Sequence, residues 1–224
     1  YEELHDDEAA FLNQIVKEYN PSNKVVKIDV KDIYMKEFSG CPNEGCYCSP
    51  YTLLRLFADI IQEIPDKILY LDVDVMFNRD IKLLYDAARD HYGKYLINPN
   101  YINAGVLLLN MKKIRQTGLL LKARNLIKLR HLPFADQSAI LRSTTKRKML
   151  PQKFNDQKFL HSHTVIRHFS KRLFWLPYPH TANIKQWNVS KVHKIFKYYV
   201  FDDILYEYIY LKKKFISEKS KENI

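Results

Sequence analysis

Apolar residues recur along this chain at two spacings, one typical of helices and one typical of strands. Residues 1–20 place apolar side chains three and four positions apart, which predicts an amphipathic helix. A second helix is predicted from Ser49 to about residue 61, because Pro50 suits a first helical turn and Pro65 follows the end. The same spacing predicts helices near 81–89, 119–129, 136–141 (with Asp136 as a cap) and 202–216.

Apolar runs rich in β-branched residues lie between these helices and predict strands. They occupy residues 24–30, 66–77, 101–110 and 164–169. Helices and strands alternate up to about residue 170, which predicts an α/β fold with a mostly parallel sheet flanked by helices. Residues 171–190 have the proline, aromatic and polar content of a loop or lid. We expect one domain over residues 1–190 and a basic, Tyr/Lys-rich helical segment over 191–224.

Composition narrows the class of protein. The chain has 224 residues, of which 46% are hydrophobic, enough to bury a sizeable core. Its net charge of +11 favours anionic partners. No Gly-rich phosphate-binding motif is present, so dinucleotide-binding and P-loop folds lose their main signal. No nucleic-acid-binding motif is present either, so we expect no nucleic acid partner.

Three clustered cysteines bear on the compartment. Cys41, Cys46 and Cys48 are odd in number and their spacing fits structural zinc poorly, which favours free thiols in a reducing compartment. The sequence shows no signal peptide and no apolar run of about 18 residues. We therefore expect a cytoplasmic protein.

The strand at residues 66–77 runs into two aspartates separated by one residue. Asp72 and Asp74 would share one face of a strand, with Val73 on the other. Two buried carboxylates are costly unless a cation lies between them, and hard divalent cations bind carboxylate oxygens. The alternative is a strand that ends in a solvated acidic turn.

Further motifs follow in a fixed order along the chain. They are Ser49–Phe57, Ile68–Asp74, Tyr101–Asn110, Phe134–Ile140, Leu150–Asn155 and Val165–Ser170. Over about residues 25–175 this order resembles glycosyltransferase family 8, which includes bacterial lipopolysaccharide glucosyl- and galactosyltransferases, glycogenin and galactinol synthase. The resemblance implies a GT-A fold (Rossmann-like), a UDP-sugar donor, Mn²⁺ or Mg²⁺, and retention of anomeric configuration. It implies a hexosyltransferase that moves glucose or galactose to a glycan or glycolipid hydroxyl, as in lipopolysaccharide or cell-surface glycan biosynthesis.

The resemblance also assigns residues to the metal. Asp72 and Asp74 match the family's Asp-x-Asp motif, and Asp72 would also lie near the donor ribose. His168 matches the histidine that completes the metal site, and an imidazole beside two carboxylates suits Mn²⁺ better than Ca²⁺. Taken alone, without the aspartates, His168 would be more typical of a buried core histidine than of a metal ligand.

Donor and sugar contacts follow from the same resemblance. Arg55 matches a donor-contacting arginine, although its helix could leave it solvated. Asn103, Ala104 and Gly105 match the family's Asn-Ala-Gly, where small residues let a sugar approach the backbone. The alternative for these three residues is a strand start with a bulge glycine.

The catalytic assignment is Asp136 and Gln137, which match the Asp-Gln pair near the reacting sugar; a helix N-cap is the alternative for Asp136. Since Asp136 is the one nearby carboxylate among these motifs, we expect attack from the same face with the departing phosphate as base.

Three departures from the family pattern bear on function. The usual first strand is absent from the sequence, the stretch from Leu84 to Asn103 is short, and the usual His-x-x-Gly-x-x-Lys-Pro-Trp is altered over residues 168–175. Lys171 or Arg172 would supply the phosphate-binding cation. The alternative function is a non-catalytic nucleotide-sugar binding module. The Tyr/Lys stretch over residues 197–214 would contact an anionic membrane surface, pack as a terminal helix or form a dimer contact.

Overall fold

A computed structural model describes residues 4–44, 50–90, 103–174 and 178–222. Within these ranges the chain forms helices and short strands in two compact units. The mixed helix and strand content of the prediction is confirmed. None of the described helices is both long enough and apolar enough to span a bilayer.

The first unit comprises residues 1–66 and 111–144, and its described secondary-structure elements are all helices. Its elements are α1 (Asp6–Tyr19), α2 (Lys31–Phe38), a 3₁₀ helix (Pro50–Phe57), α4 (Met111–Thr117), α5 (Leu119–Leu129) and α6 (Ala135–Ser143). Phe38 is fully buried, in ring contact with both Tyr34 and Phe57. Ile127 of α5 is also fully buried, and these residues anchor the core of this unit.

The second unit comprises residues 67–110 and 145–224 and contains all the described strands. Its strands are β1 (Lys67–Leu71), β2 (Val75–Phe77), β3 (Val106–Asn110), β4 (Ile166–His168), β5 (Arg172–Phe174) and β6 (His180–Ala182). Its helices are α3 (Lys82–Asp90), a 3₁₀ turn (Gln152–Phe154), α7 (Val189–Lys191), a π-helical turn (Val192–Phe196) and α8 (Asp202–Glu222).

The strand pairing differs from the prediction of a mostly parallel sheet. β1 pairs with β3, β2 with β4 and β5 with β6, and all three pairs are antiparallel. The one parallel contact among the described strands is an isolated bridge between Asp156 and Arg167. The single strand predicted over residues 66–77 is also divided, because a turn at Asp72–Asp74 separates β1 from β2 and each has a different partner.

Two other predicted elements are wrong. Residues 24–30 form no strand, since no described strand pairs with them, and Val26 remains 53% exposed. The helix predicted to begin at Ser49 is instead the 3₁₀ helix Pro50–Phe57. The amphipathic pattern there is nevertheless used, because Leu53, Leu56 and Phe57 are buried.

Two apolar clusters in the second unit support the strands that bear the site. One contains Leu84, Val106, Phe154, Val165 and Ile166, and it holds β3 against β4 and the 3₁₀ turn. The other contains Met76, Phe169, Ile184, Val192, Phe201 and Leu205, which joins β2 to the start of α8.

Candidate metal-binding site

The two aspartates lie in the tight turn between β1 and β2, not on the face of a continuous strand. Hydrogen bonds fix this turn at both ends. The Asp72 N–H donates to the Gly105 carbonyl at 2.9 Å, and the Phe169 N–H donates to the Asp74 carbonyl at 2.8 Å. Val73 at the apex is 87% exposed, as its predicted outward orientation requires. The turn therefore brings both carboxylates to the same side without a strand beneath them.

His168 closes the site from the neighbouring strand. It is paired in register with Val75, and its side chain is only 3% exposed. Its Nε2 lies 3.1 Å from Asp74 Oδ1 and 3.9 Å from Asp72 Oδ2. One ligand atom from each of Asp72, Asp74 and His168 can be chosen so that all lie within 4.8 Å of one another.

These separations suit a shared divalent cation. Such ions hold oxygen and nitrogen ligands about 2.0–2.2 Å away, so two ligands of one ion lie at most about 4.4 Å apart. Both His168–carboxylate distances fall inside that limit. The donor set of two carboxylates and an imidazole is acceptable to Mn²⁺ and similar ions.

A hydrogen-bonded series of side chains orients the imidazole. His168 Nδ1 lies 2.9 Å from Asn155 Oδ1, while Asn155 Nδ2 donates to Asn103 Oδ1 at 2.8 Å. The Gly105 N–H also donates to Asn103 Oδ1, at 3.0 Å. Because Asn155 presents its oxygen, His168 Nδ1 donates to it and Nε2 faces the carboxylates. A fixed ring orientation of this kind is the usual support of a metal-binding histidine.

Gly105 makes room for that imidazole. A Cβ at this position would lie 2.2 Å from His168 Cε1 and 2.7 Å from His168 Nδ1, far inside van der Waals contact. The glycine is therefore required by the close approach of His168. Its neighbour Ala104 is also buried, at 1% exposure.

Electrostatics keep Asp74 ionised. Burial alone would raise the pKa of its carboxyl, but hydrogen bonds and charge interactions with His168 and Lys185 outweigh burial, and the pKa lies well below its usual value. The Lys185 ammonium makes a very close contact with Asp74 Oδ2. Asp74 is thus a charged oxygen donor at neutral pH.

Arg55 and Asp136 lie together in the helical unit. Arg55 Nε is 3.2 Å from Asp136 Oδ2 and donates to the Thr52 carbonyl at 3.1 Å. Arg55 is buried rather than solvated. Asp136 is not an N-cap, because α6 begins at Ala135 and places Asp136 inside its first turn, at 1% exposure.

The remaining predicted site residues are less informative. Gln137 follows Asp136 in α6 and is half-buried, and Lys171 is exposed. Arg172 begins β5, but its side chain lies outside the described residues. The structure also leaves undescribed Cys46, Cys48 and residues 91–102, which include most of the short stretch before Asn103. Cys41 is a free thiol.

Asn155 and Lys185 contact this site and were not among the predicted residues. Asn155 ends a motif that the sequence resemblance already contained, so its position beside His168 could have been suspected. Lys185 had no such signal, because it lies in the irregular stretch 171–190, far along the chain from Asp74.

Comparison with known proteins finds one family model that resembles the first part of the chain. The model of glycosyl transferase family 8 matches residues 1–98, just under half of the chain. This match confirms the resemblance to family 8 and supports a glycosyltransferase. The matched stretch includes Arg55, Asp72 and Asp74, whereas Gly105 and His168 lie beyond it.

Two solved structures are similar over most of the chain. A crystal structure of an active-site mutant of LgtC is 16% identical, with a TM-score of 0.46 and 93% of each chain covered. A crystal structure of galactosyltransferase LgtC in complex with donor and acceptor sugar analogues is 18% identical, with a TM-score of 0.44, covering 87% of this chain and 89% of that one. No curated protein matches the chain. Both TM-scores lie below 0.5.

Proposed function

We propose that this protein is a retaining hexosyltransferase that moves glucose or galactose from a UDP-sugar to a hydroxyl of a glycan or glycolipid. The observation that supports this most strongly is the convergence of Asp72, Asp74 and His168 within 4.8 Å, in a chain whose first 98 residues match family 8. A GT-A fold is part of the proposal. Lipopolysaccharide or cell-surface glycan biosynthesis is the corresponding setting.

Asp72, Asp74 and His168 would hold the divalent cation, Mn²⁺ or Mg²⁺. When bound, such a cation supplies Lewis-acid stabilisation of the negative charge that develops on a departing nucleoside diphosphate. The chain prepares the ligands for this role. Tyr70 Oη donates to Asp72 Oδ1 at 2.8 Å, and Asn155 fixes the orientation of the His168 ring, so neither ligand must reorganise extensively on binding.

Other roles come from the family motifs. Arg55 and the Asn103–Gly105 segment are proposed for the donor, Lys171 or Arg172 for its phosphates, and Asp136 with Gln137 for the reacting sugar. The buried ion pair between Arg55 and Asp136 supports a charged, ordered environment around Asp136. Asp136 is the one carboxylate among the motifs proposed for the reacting sugar, and Gln137 is a poor nucleophile, so same-face attack is the route we propose.

The C-terminal helix suggests where the acceptor is met. α8 exposes Tyr206 and Tyr210, and Lys212 and Lys213 follow them on its exposed surface. Tyrosine and lysine together suit the headgroup region of an anionic membrane. We propose a cytoplasmic protein with peripheral membrane contact and a lipid-linked acceptor.

Thermal melting with nucleotide sugars tests this function. The wild-type protein would be melted with UDP-glucose, UDP-galactose or UDP, each with Mn²⁺ or EDTA, alongside Asp74→Asn and the exposed control Glu63→Gln. At one hundred times Kd a ligand stabilises the native state by about 2.7 kcal/mol, which for a chain of this length raises Tm by roughly 5–11 °C. We expect this rise only with Mn²⁺, in the wild type and in Glu63→Gln.

A UDP-sugar shift that persists in EDTA or in Asp74→Asn would reject the proposed site. Donor hydrolysis and sugar transfer, measured on the same samples, separate an enzyme from a nucleotide-sugar binding module. Metal-dependent binding with no turnover toward any acceptor or water would favour the binding module.

A further inference from the structure

Lys185 contacts the candidate metal site on the side away from the histidine. Its Nζ meets Asp74 Oδ2, whereas His168 Nε2 approaches Asp74 Oδ1. The same ammonium donates to the Phe169 carbonyl at 3.0 Å. Only 20% of the Lys185 side chain and 11% of the Asp74 side chain is exposed. This is a sheltered ion pair, unlike the mobile pairs common at protein surfaces.

The neighbours of Lys185 fix it in that place. Ile184 is 5% exposed and packs in the apolar cluster that also contains Phe169. Gln186 Nε2 donates to the Val73 carbonyl at 2.7 Å, inside the Asp-x-Asp turn. Residues 184–186 therefore pack against the turn and hold the ammonium beside Asp74.

This arrangement changes the charge that a metal encounters. Asp72 and Asp74 together offer two negative charges, and Lys185 cancels one of them at the carboxylate that also faces His168. A divalent cation bound by Asp74 would lie a few ångström from this ammonium. Like charges at that distance repel strongly where water is partly excluded.

We propose that Lys185 is a built-in competitor of the divalent cation, and that it sets the metal affinity of the site by neutralising Asp74 when no metal is bound. The inference rests on the proposed function only in that it takes Asp72, Asp74 and His168 as the metal ligands. The lysine keeps the carboxylate paired in the metal-free protein, which avoids a buried unpaired charge. Metal binding then requires the ammonium to yield Asp74 in part or in full.

Mn²⁺ titration of purified protein tests this proposal without any measurement of turnover. The free Mn²⁺ concentration would be read by electron paramagnetic resonance in the wild type, Lys185→Met and Lys185→Arg. Lys191→Met serves as a control, because Lys191 is exposed and its replacement removes the same charge at a different place in the protein. Lys185→Met should bind Mn²⁺ at least about tenfold more tightly than the wild type, since it removes a close like charge. Lys185→Arg and Lys191→Met should stay within about twofold of the wild type.

The direction of the change identifies the role. If Lys185 only braces the turn, its loss loosens the ligands, and Lys185→Met binds Mn²⁺ more weakly or equally; either result overturns the proposal while the metal site stands. If no variant and no wild-type sample binds Mn²⁺, the metal site itself is wrong and the proposal falls with it. Should Lys185→Met melt far below the wild type, Lys185→Gln gives the same comparison, because its amide can still donate to the Phe169 carbonyl.

Discussion

Replacing Gly105 by alanine tests the geometry of the site with a single methyl group. The added Cβ would lie 2.2 Å from His168 Cε1, whereas ordinary contact begins at 3.4 Å. One of the two groups must therefore move by at least about 1.2 Å. The backbone of Gly105 cannot retreat freely, because its N–H donates to Asn103 Oδ1 and its carbonyl accepts from the Asp72 N–H.

The imidazole is thus the group that yields. A shift of that size breaks the 2.9 Å contact between His168 Nδ1 and Asn155 Oδ1 and turns Nε2 away from Asp74. Overpacking of this kind costs about 1–3 kcal/mol, which lowers Tm by roughly 2–12 °C in a chain of this size. Loss of the group that orients a metal-binding histidine weakens metal affinity by about 10–100-fold.

Two measurements on one variant decide the outcome. Thermal melting gives the stability change, and Mn²⁺ titration gives the affinity change. Gly118→Ala is the control, because φ is +62° there and nothing lies within 4 Å of an added Cβ. It should lower Tm by backbone strain and leave Mn²⁺ binding unchanged. Wild-type stability and wild-type Mn²⁺ affinity in Gly105→Ala would refute the close approach of His168 that the site depends on.

Three further predictions concern stability. Burial raises the pKa of Asp156, but hydrogen bonds from His161 and Thr164 outweigh burial and lower the pKa below 3.8. The stabilisation that results is present above about pH 4 and is lost as the pH falls through the lower pKa of the folded state. Asp156→Asn should therefore flatten the acid limb of a curve of Tm against pH, and an unchanged acid limb would contradict this prediction. Arg124→Met should lower the free energy of unfolding in urea by about 3–5 kcal/mol, since it leaves the Asp59 carboxylate buried and unpaired. A loss below about 1 kcal/mol would mean that this ion pair contributes no more than one at the protein surface. Asn43→Ala should lower the free energy of unfolding by about 3 kcal/mol, because the Asn43 side chain makes three hydrogen bonds to backbone groups at and beyond the end of α5. Asn43→Asp should lower it by at least as much, since a carboxylate there faces two carbonyl oxygens.

Local pattern was enough to predict several of the longer helices, because their signals lie within one stretch of chain, whereas α2 and α4 were not predicted. The helix expected over residues 119–129 is α5 with the same bounds, and α1 and α8 also lie where apolar spacing placed them. Strand pairing was predicted less well, since it depends on partners far along the chain. Residues 24–30 have the composition of a strand, but no described strand pairs with them.

The residues of the candidate site also differ in whether a pattern in the sequence could identify them. Asp72 and Asp74 could be singled out because a motif two residues apart is visible in sequence, and His168 because a family resemblance supplied it. Lys185 could not, because its role arises from packing at Ile184 that brings position 185 to a turn more than a hundred residues earlier. Its chemistry is ordinary for a lysine; only its neighbours make it part of the site.

The Asp72–Asp74 turn joins two strands that belong to different pairs, β1 with β3 and β2 with β4. Asp72 follows the first pair, whereas Asp74 and His168 are tied to the second. A cation shared among these three residues would therefore act as a cross-link between the two strand pairs, in addition to the apolar cluster that holds β3 against β4. Metal binding should then slow amide hydrogen exchange in β2 and β4, and this effect would not depend on any sugar.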